Sequence, residues 1–247
     1  MANPYRGKFI TIEGPDASGK TTSIEDLKSY LNQHPELYQD RFSDVLFLRE
    51  PGGTPINDKI REIILSNHDD EPLYSVTQVF LFAANRYQNL REVIIPALRD
   101  NKLVICDRFL LSTLAYQTNL HYQTKAFQES EINRIMDIHK HALYDLESEH
   151  YITPDLTIYF DVNTQTVKDR MQNRLSLDAN EIDYFDQAIL DDLNRVTKLK
   201  QQYDTVYNLI RQGVHPLLNN LTKINANLEQ EARLNQILVT VSNLVAK

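Results

Sequence analysis

Residues 13–22 read EGPDASGKTT, and within them Gly14, Gly19, Lys20 and Thr21 satisfy the spacing G-x-x-x-x-G-K-S/T. Glycines at those two places let backbone N–H groups curl around a phosphate, and a following helix presents its positive end to the same group. Lys20 is then placed to reach the β- and γ-phosphates of a nucleotide, and the Thr21 hydroxyl to ligate Mg2+. The chain has only 6 glycines in 247 residues, so two of them here mark the stretch as one that must approach a ligand closely.

Cations come next. Two anionic reactants can be held in line for phosphoryl transfer only if positive groups surround both. Arg49, Arg86 and Arg108 lie in three separate stretches, and Arg170 and Arg174 fall in a late segment that can close over the top. Asp107 precedes Arg108 at the end of an apolar run. A carboxylate so placed can hold a metal-bound water while its neighbour grips an acceptor phosphate. A phosphate loop alone serves a kinase, a nucleotide-gated switch or a mechanical ATPase. The switch reading expects an N-K-x-D element, but Asn101-Lys102 runs straight into Leu103 and Val104 at the start of a strand.

These residues need elements to position them. Short apolar runs at 8–13, 45–49, 103–107, 156–162 and 222–226 read as strands. Amphipathic segments near 20–33, 57–66, 74–90, 91–100, 109–118, 128–146, 164–175, 185–211 and 228–245 read as helices, with Asn57 and Thr164 as N-caps. Strands apolar almost throughout, alternating with helices, predict a doubly wound α/β fold on a five-stranded parallel sheet. Ligands then bind beyond the carboxyl ends of the strands, where the phosphate loop, REPGGT, DRF and DVN all fall.

Composition narrows the partners. A length of 247 residues with 42% hydrophobic content suits a single domain with one sizeable core. A formal charge of −8 argues against a nucleic-acid backbone as partner, because that affinity comes from clustered Lys and Arg. The opening MANPYRGKF lacks the apolar run of a signal peptide, and no stretch of 18 apolar residues occurs; the expectation is a soluble protein away from membranes. The single cysteine, Cys106, fits a reducing compartment such as the cytoplasm and reads as a buried small hydrophobe. The 7 histidines show no metal-ligand spacing and read as surface or packing residues.

The stretches FITIEGPDASGKTT, LREPGGTPINDKIREIIL, FLFAANRYQ, VICDRFLLSTLAYQ and PDLTIYFDV follow one another in the order and approximate spacing of the thymidylate kinases. Those enzymes phosphorylate dTMP with ATP. The chain resembles their bacterial-type branch over most of residues 8–226. The resemblance implies the fold of the P-loop nucleoside monophosphate kinases in one domain over 1–247, with a helical lid at about 165–186. It implies ATP as donor with Mg2+, dTMP as acceptor with dUMP as the alternative, and a homodimer formed through the apolar faces around Phe80, Leu81 and Val93. A catalytically silent nucleotide-binding module is the reading from another class.

Roles follow by the same resemblance. ATP lies against Gly14, Ala17, Ser18, Gly19, Lys20, Thr21 and Thr22, with Arg170 beside it. Asp16 binds the deoxyribose 3′-hydroxyl or a metal-bound water. Glu50 and Pro51 form the turn that lines the acceptor phosphate, often with a cis proline; Gly52 and Gly53 allow close approach, and Arg49 stands beside them. Phe82 stacks on a pyrimidine while Arg86, one turn later, reaches its carbonyl or the phosphate. Thr113 and Gln117 address the base edge, and Tyr116 crowds the sugar where a ribonucleotide carries its 2′-hydroxyl. Lys20, Asp107, Arg108 and Arg174 form the catalytic set, with Arg174 as the transition-state cation because the phosphate loop contains no Arg; Thr21 and Asp107 are the metal-side residues. The sequence also departs from the family pattern: Tyr184 replaces the Arg of a D-R-x-E lid element, Ala17 stands where Gly is common, and TNLHYQTKAFQE matches poorly.

Overall fold

A computed structural model describes residues 3–66, 71–118, 120, 123–175 and 194–245, with the backbone alone for 172–175 and 245. Five parallel strands form one sheet in the order β2-β3-β1-β6-β7: β1 (Lys8–Glu13), β2 (Val45–Arg49), β3 (Leu103–Asp107), β6 (Leu156–Asp161) and β7 (Leu221–Asn225). This is the doubly wound α/β sheet expected from the sequence. Each strand sends alternate side chains to opposite faces. Phe9, Val104, Cys106 and Tyr159 enter one apolar core, and Ile10, Ile12, Leu103, Ile105, Ile158 and Phe160 enter the other. Both faces are therefore dry, which is why these strands are apolar runs.

Helices α1 (Lys20–Gln33), α2 (Pro55–Leu65), α3 (Ser75–Asn89), α4 (Ile95–Arg99), α5 (Leu110–Gln117), α6 (Lys125–Leu143), α7 (Thr164–Leu175), α8 (Asn194–Arg211) and α9 (Gln230–Val245) complete the layers. The expected 74–90 and 91–100 helices are continuous through a π-turn at Leu90–Ile94. That wide turn falls just ahead of Pro96, which has no N–H to return to the preceding turn. The expected helix at 128–146 starts and stops three residues earlier, and Tyr144–Asp145 (β4) instead pairs with His150–Tyr151 (β5) in an antiparallel hairpin. For the expected 185–211 helix, residues 185–193 lie outside the described residues, as do 176–186 of the expected lid.

Both expected caps are displaced. Thr54, followed by Pro55, caps α2 and accepts from the Asn57 N–H at 3.2 Å. Asn57 is buried inside the helix, donating to the Asn85 carbonyl at 3.0 Å and to Asn89 Oδ1 at 2.8 Å. Asn163, not Thr164, accepts from the Thr166 N–H at 2.7 Å ahead of α7. The connection after β1 runs to the β2 edge, whereas the connection after β3 returns across β1 to β6. The carboxyl ends of β1 and β3 thus border the point where the strand order reverses, where a crevice opens.

Candidate active site

The phosphate loop connects β1 to α1. Gly14 has φ 152° and Gly19 φ 91°, and a Cβ on Gly14 would lie 3.1 Å from Phe160 Cβ, so strand packing and backbone conformation both demand glycine there. Ala17 adopts φ 55°, a left-handed conformation that costs an alanine about 1 kcal/mol. No side chain caps the start of α1, which leaves its first N–H groups for an anion. Lys20 folds back over the loop, donating to the Gly14 carbonyl at 2.8 Å and the Pro15 carbonyl at 2.7 Å. Burial, reinforced by the nearby Arg108 cation, lowers its pKa to about 7.

The start of α5 is treated in the opposite way. Glu13, fully buried at the end of β1, accepts from the N–H groups of Phe109 at 2.9 Å, Leu111 at 3.0 Å and Ser112 at 3.1 Å, and from the Ser112 hydroxyl. Burial raises its pKa against the pull of those bonds and of Arg108. This carboxylate locks the turn in which Arg108, at φ 68°, donates its N–H to the Ile12 carbonyl at 2.9 Å. The Arg108 guanidinium then reaches the Gly14 carbonyl at 3.0 Å, Ser112 Oγ at 3.2 Å and the Tyr203 hydroxyl at 3.0 Å, and pairs with Asp16. The other Asp16 oxygen accepts from the Tyr116 hydroxyl.

Across the crevice, the Glu50–Pro51 peptide bond is cis. Glu50 accepts from Arg86 Nε at 3.1 Å and Nη2 at 2.8 Å, and from Asn89 Nδ2 at 3.4 Å. Burial raises the Glu50 pKa, and Arg86 opposes the rise. Arg86 lies 4.4 Å over the Phe109 ring, donates to Thr113 Oγ1 at 3.2 Å and approaches His139 Nδ1 at 2.9 Å. The Gly52 carbonyl accepts from Asn89 at 2.9 Å and the Pro51 carbonyl from Arg61 at 2.8 Å. A Cβ on Gly53 would lie 2.5 Å from Leu48 Cδ1.

Between these walls is a cleft with about 560 Å³ of empty volume. Asp16, Arg49, Glu50, Pro51, Phe82, Arg86, Arg108, Thr113, Tyr116 and Gln117 all line it, so every acceptor-side residue named from the sequence meets in one place. Gln117 donates to Gln78 at 3.2 Å, but its Oε1 is buried without a hydrogen-bond partner among the described residues. The thymidylate kinase family model matches residues 12–214. The chain is 34% identical over 222 residues to the thymidylate kinase of Clostridium novyi (strain NT), covering 90% of this chain and 92% of that one. It is 37% identical over 217 residues to that of Chlorobaculum parvum, covering 85% and 82%, and 38% identical over 176 residues to that of an Exiguobacterium species, covering 71% and 73%.

The chain belongs to the thymidylate kinase family. In this thymidylate kinase fold, Thr21 and Thr22 are exposed at the start of α1. Asp107 is 6% exposed, and its Oδ1 is buried without a partner among the described residues. Arg170 does not join the cleft: it packs behind the loop, donating to the Ser18 carbonyl at 2.9 Å and the Ala226 carbonyl at 3.1 Å. The Arg174 backbone lies in α7, and its side chain is outside the described set.

Several residues of the site went unread in the sequence. Glu13 had a visible signal, a carboxylate ending an apolar strand. Asn85 and Asn89 had another, shared by Asn57, which was read only as a cap, since asparagine in a helix interior is unfavourable without a partner. Arg61, Ser112, Tyr203, His139 and Arg233 had none. Arg233 donates to Ser23 at 3.2 Å and to the Leu228 carbonyl at 2.7 Å beside Gly19.

Proposed function

We propose that the chain is a Mg2+- and ATP-dependent thymidylate kinase that converts ATP and dTMP to ADP and dTDP. The observation that carries this reading is one cleft lined together by the arginine of DRF, the Asp of the phosphate loop, Phe82, Arg86 and Gln117. Such a cleft brings cations for an anionic group together with an aromatic ring and an amide suited to a pyrimidine. Phe82 covers the pyrimidine face, Arg86 and Thr113 address its edge, and Tyr116 limits space at the sugar. Arg49 and Arg108 hold the acceptor phosphate.

An oxygen of that phosphate attacks the γ-phosphorus in line as the bond to the ADP oxygen breaks, so no covalent enzyme intermediate arises. Gly14, Ala17, Ser18, Gly19 and Thr22 hold the donor phosphates, Lys20 neutralises charge on them, and Arg174 supplies the cation opposite. Arg170 supports the loop from behind. Asp16, held by Arg108 and Tyr116, is set to take the 3′-hydroxyl. Thr21 and the Asp107 oxygen that lacks a partner among the described residues fit Mg2+: they are hard oxygen donors, too few for a protein-only cage, as suits an ion shared with phosphates. Among the described residues no cluster of three or more acidic, His or Cys groups stands ready to hold a metal alone. The ion, when bound, draws off the charge that develops on the transferred group.

The reading takes residues 1–247 as one kinase domain with its lid at about 165–186, in the cytoplasm. It also takes the chain as a homodimer. Val76, Phe80 and Tyr87 on α3 are 44%, 57% and 42% exposed, an apolar stripe suited to a second copy. ADP release measured across dTMP, dUMP, dCMP, dGMP and ribo-TMP tests the function. The expected order places dTMP first, with dUMP close behind because the C5 methyl contributes only about 1 kcal/mol. Equal rates with every acceptor, or none with any, would reject the pocket.

A further inference from the structure

His139 on α6 is fully buried against Arg86. An arginine has only donors, so the 2.9 Å contact from Arg86 Nη1 to His139 Nδ1 requires an unprotonated Nδ1 and places the ring proton on Nε2. That Nε2 is buried and has no hydrogen-bond partner among the described residues. An unpaired buried donor is unfavourable, and a leucine at this place would avoid it. The other ring nitrogen, however, makes a contact that an apolar residue cannot.

Arg86 is held by Glu50 on one edge, by Thr113 beside it, by the Phe109 ring beneath and by His139 at Nη1. Among the described residues, His139 is the one hydrogen-bond partner of Nη1. The guanidinium is one rigid plane, so this contact restrains the tilt of the whole group.

We propose that His139 is a positioning residue for the acceptor pocket: its neutral ring accepts from Arg86 Nη1 and sets the plane in which that guanidinium meets the base. The proposal rests on the acceptor reading of the cleft. A protonated ring would lose its acceptor and bring a second cation against Arg86, so the ring is neutral in the working enzyme. Burial, reinforced by the Arg86 cation, holds it there.

The test compares His139→Leu, which removes the acceptor, with His139→Asn, whose Oδ1 restores one near the same place. Expected with Leu is a roughly tenfold rise in KM for dTMP, the order for losing a hydrogen bond to a charged group, with kcat and KM for ATP within about twofold. Expected with Asn is recovery to within about threefold. A folded Leu variant with unchanged KM, or an Asn variant no better than Leu, overturns the proposal alone. A parent chain with no dTMP-dependent turnover overturns the acceptor reading and this proposal together. If Leu fails to fold, nitrogen NMR of the parent decides: an unprotonated Nδ1 that shifts with dTMP but not with ATP sustains the assignment, and a protonated Nδ1 rejects it.

Discussion

Two arginine–carboxylate pairs face each other across the cleft, and they differ in burial. Arg86 and Glu50 have side chains only 1% and 3% exposed, whereas Arg108 and Asp16 stand at 15% and 20%. A pair sealed from water has no alternative partners, so breaking it leaves a naked charge. A pair at the cleft mouth can exchange its partner for a ligand at little expense. In the proposed kinase, the first is the scaffold that presents one edge to a base, and the second is the pair poised to trade Asp16 for an incoming anion or hydroxyl.

The comparison predicts which readout each pair controls. Arg108→Met should lower kcat/KM by about 10³-fold, about 4 kcal/mol, while the melting temperature moves by only a few degrees. Glu50→Ala should do the reverse in emphasis, destabilising the fold by about 3 kcal/mol because Arg86 is left buried and unpaired. For a chain of this size that is roughly a 6–12 °C fall in Tm. Calorimetry and ADP-release kinetics on both variants would break the contrast if the two lost stability equally. A smaller effect belongs to the loop itself: Ala17→Gly relieves a left-handed alanine at φ 55° and should raise stability by at most about 1 kcal/mol. A fall in Tm would mean the alanine methyl makes a contact worth more than its strain.

Legibility in the sequence follows the same division. The half-open side was readable because its residues are contiguous: Gly14 to Thr21 are a local pattern, and Asp107-Arg108 end a strand whose bounds, Leu103–Asp107, the apolar run delimits by itself. The sealed side was readable in its parts but not in its wiring. Glu50, Arg86 and Thr113 could be placed near a ligand by resemblance, yet that they bond to one another depends on packing between α3, α5 and the turn after β2. Asn57 shows the limit most clearly. Its residue type suits a cap, but Thr54-Pro55 provides the better start and the asparagine is drawn inside to pair with Asn85 and Asn89. Tyr203, which reaches Arg108 and Ser112 from α8, has a sequence neighbourhood that announces only a helix.

The finest difference between the two sides is in protons. Lys20 sits beside Arg108, and burial together with that cation brings its pKa from 10.5 to about 7. Between those values the unfolded chain binds more protons than the folded one, so this group makes stability rise with pH from about 7 to 10.5. ATP adds negative charge against the ammonium and pulls the pKa back up. At pH 8, binding should therefore take up as much as about one proton, seen as a binding enthalpy that changes with the ionisation enthalpy of the buffer. Arg108→Met removes one cause of the depression, so less proton uptake is expected in that variant. Glu50→Ala, acting on the sealed pair, should leave the uptake as it was. Buffer-independent enthalpies in the parent chain would show that Lys20 is already charged before the nucleotide arrives, and the division of labour between the two arginine clusters would lose its electrostatic basis.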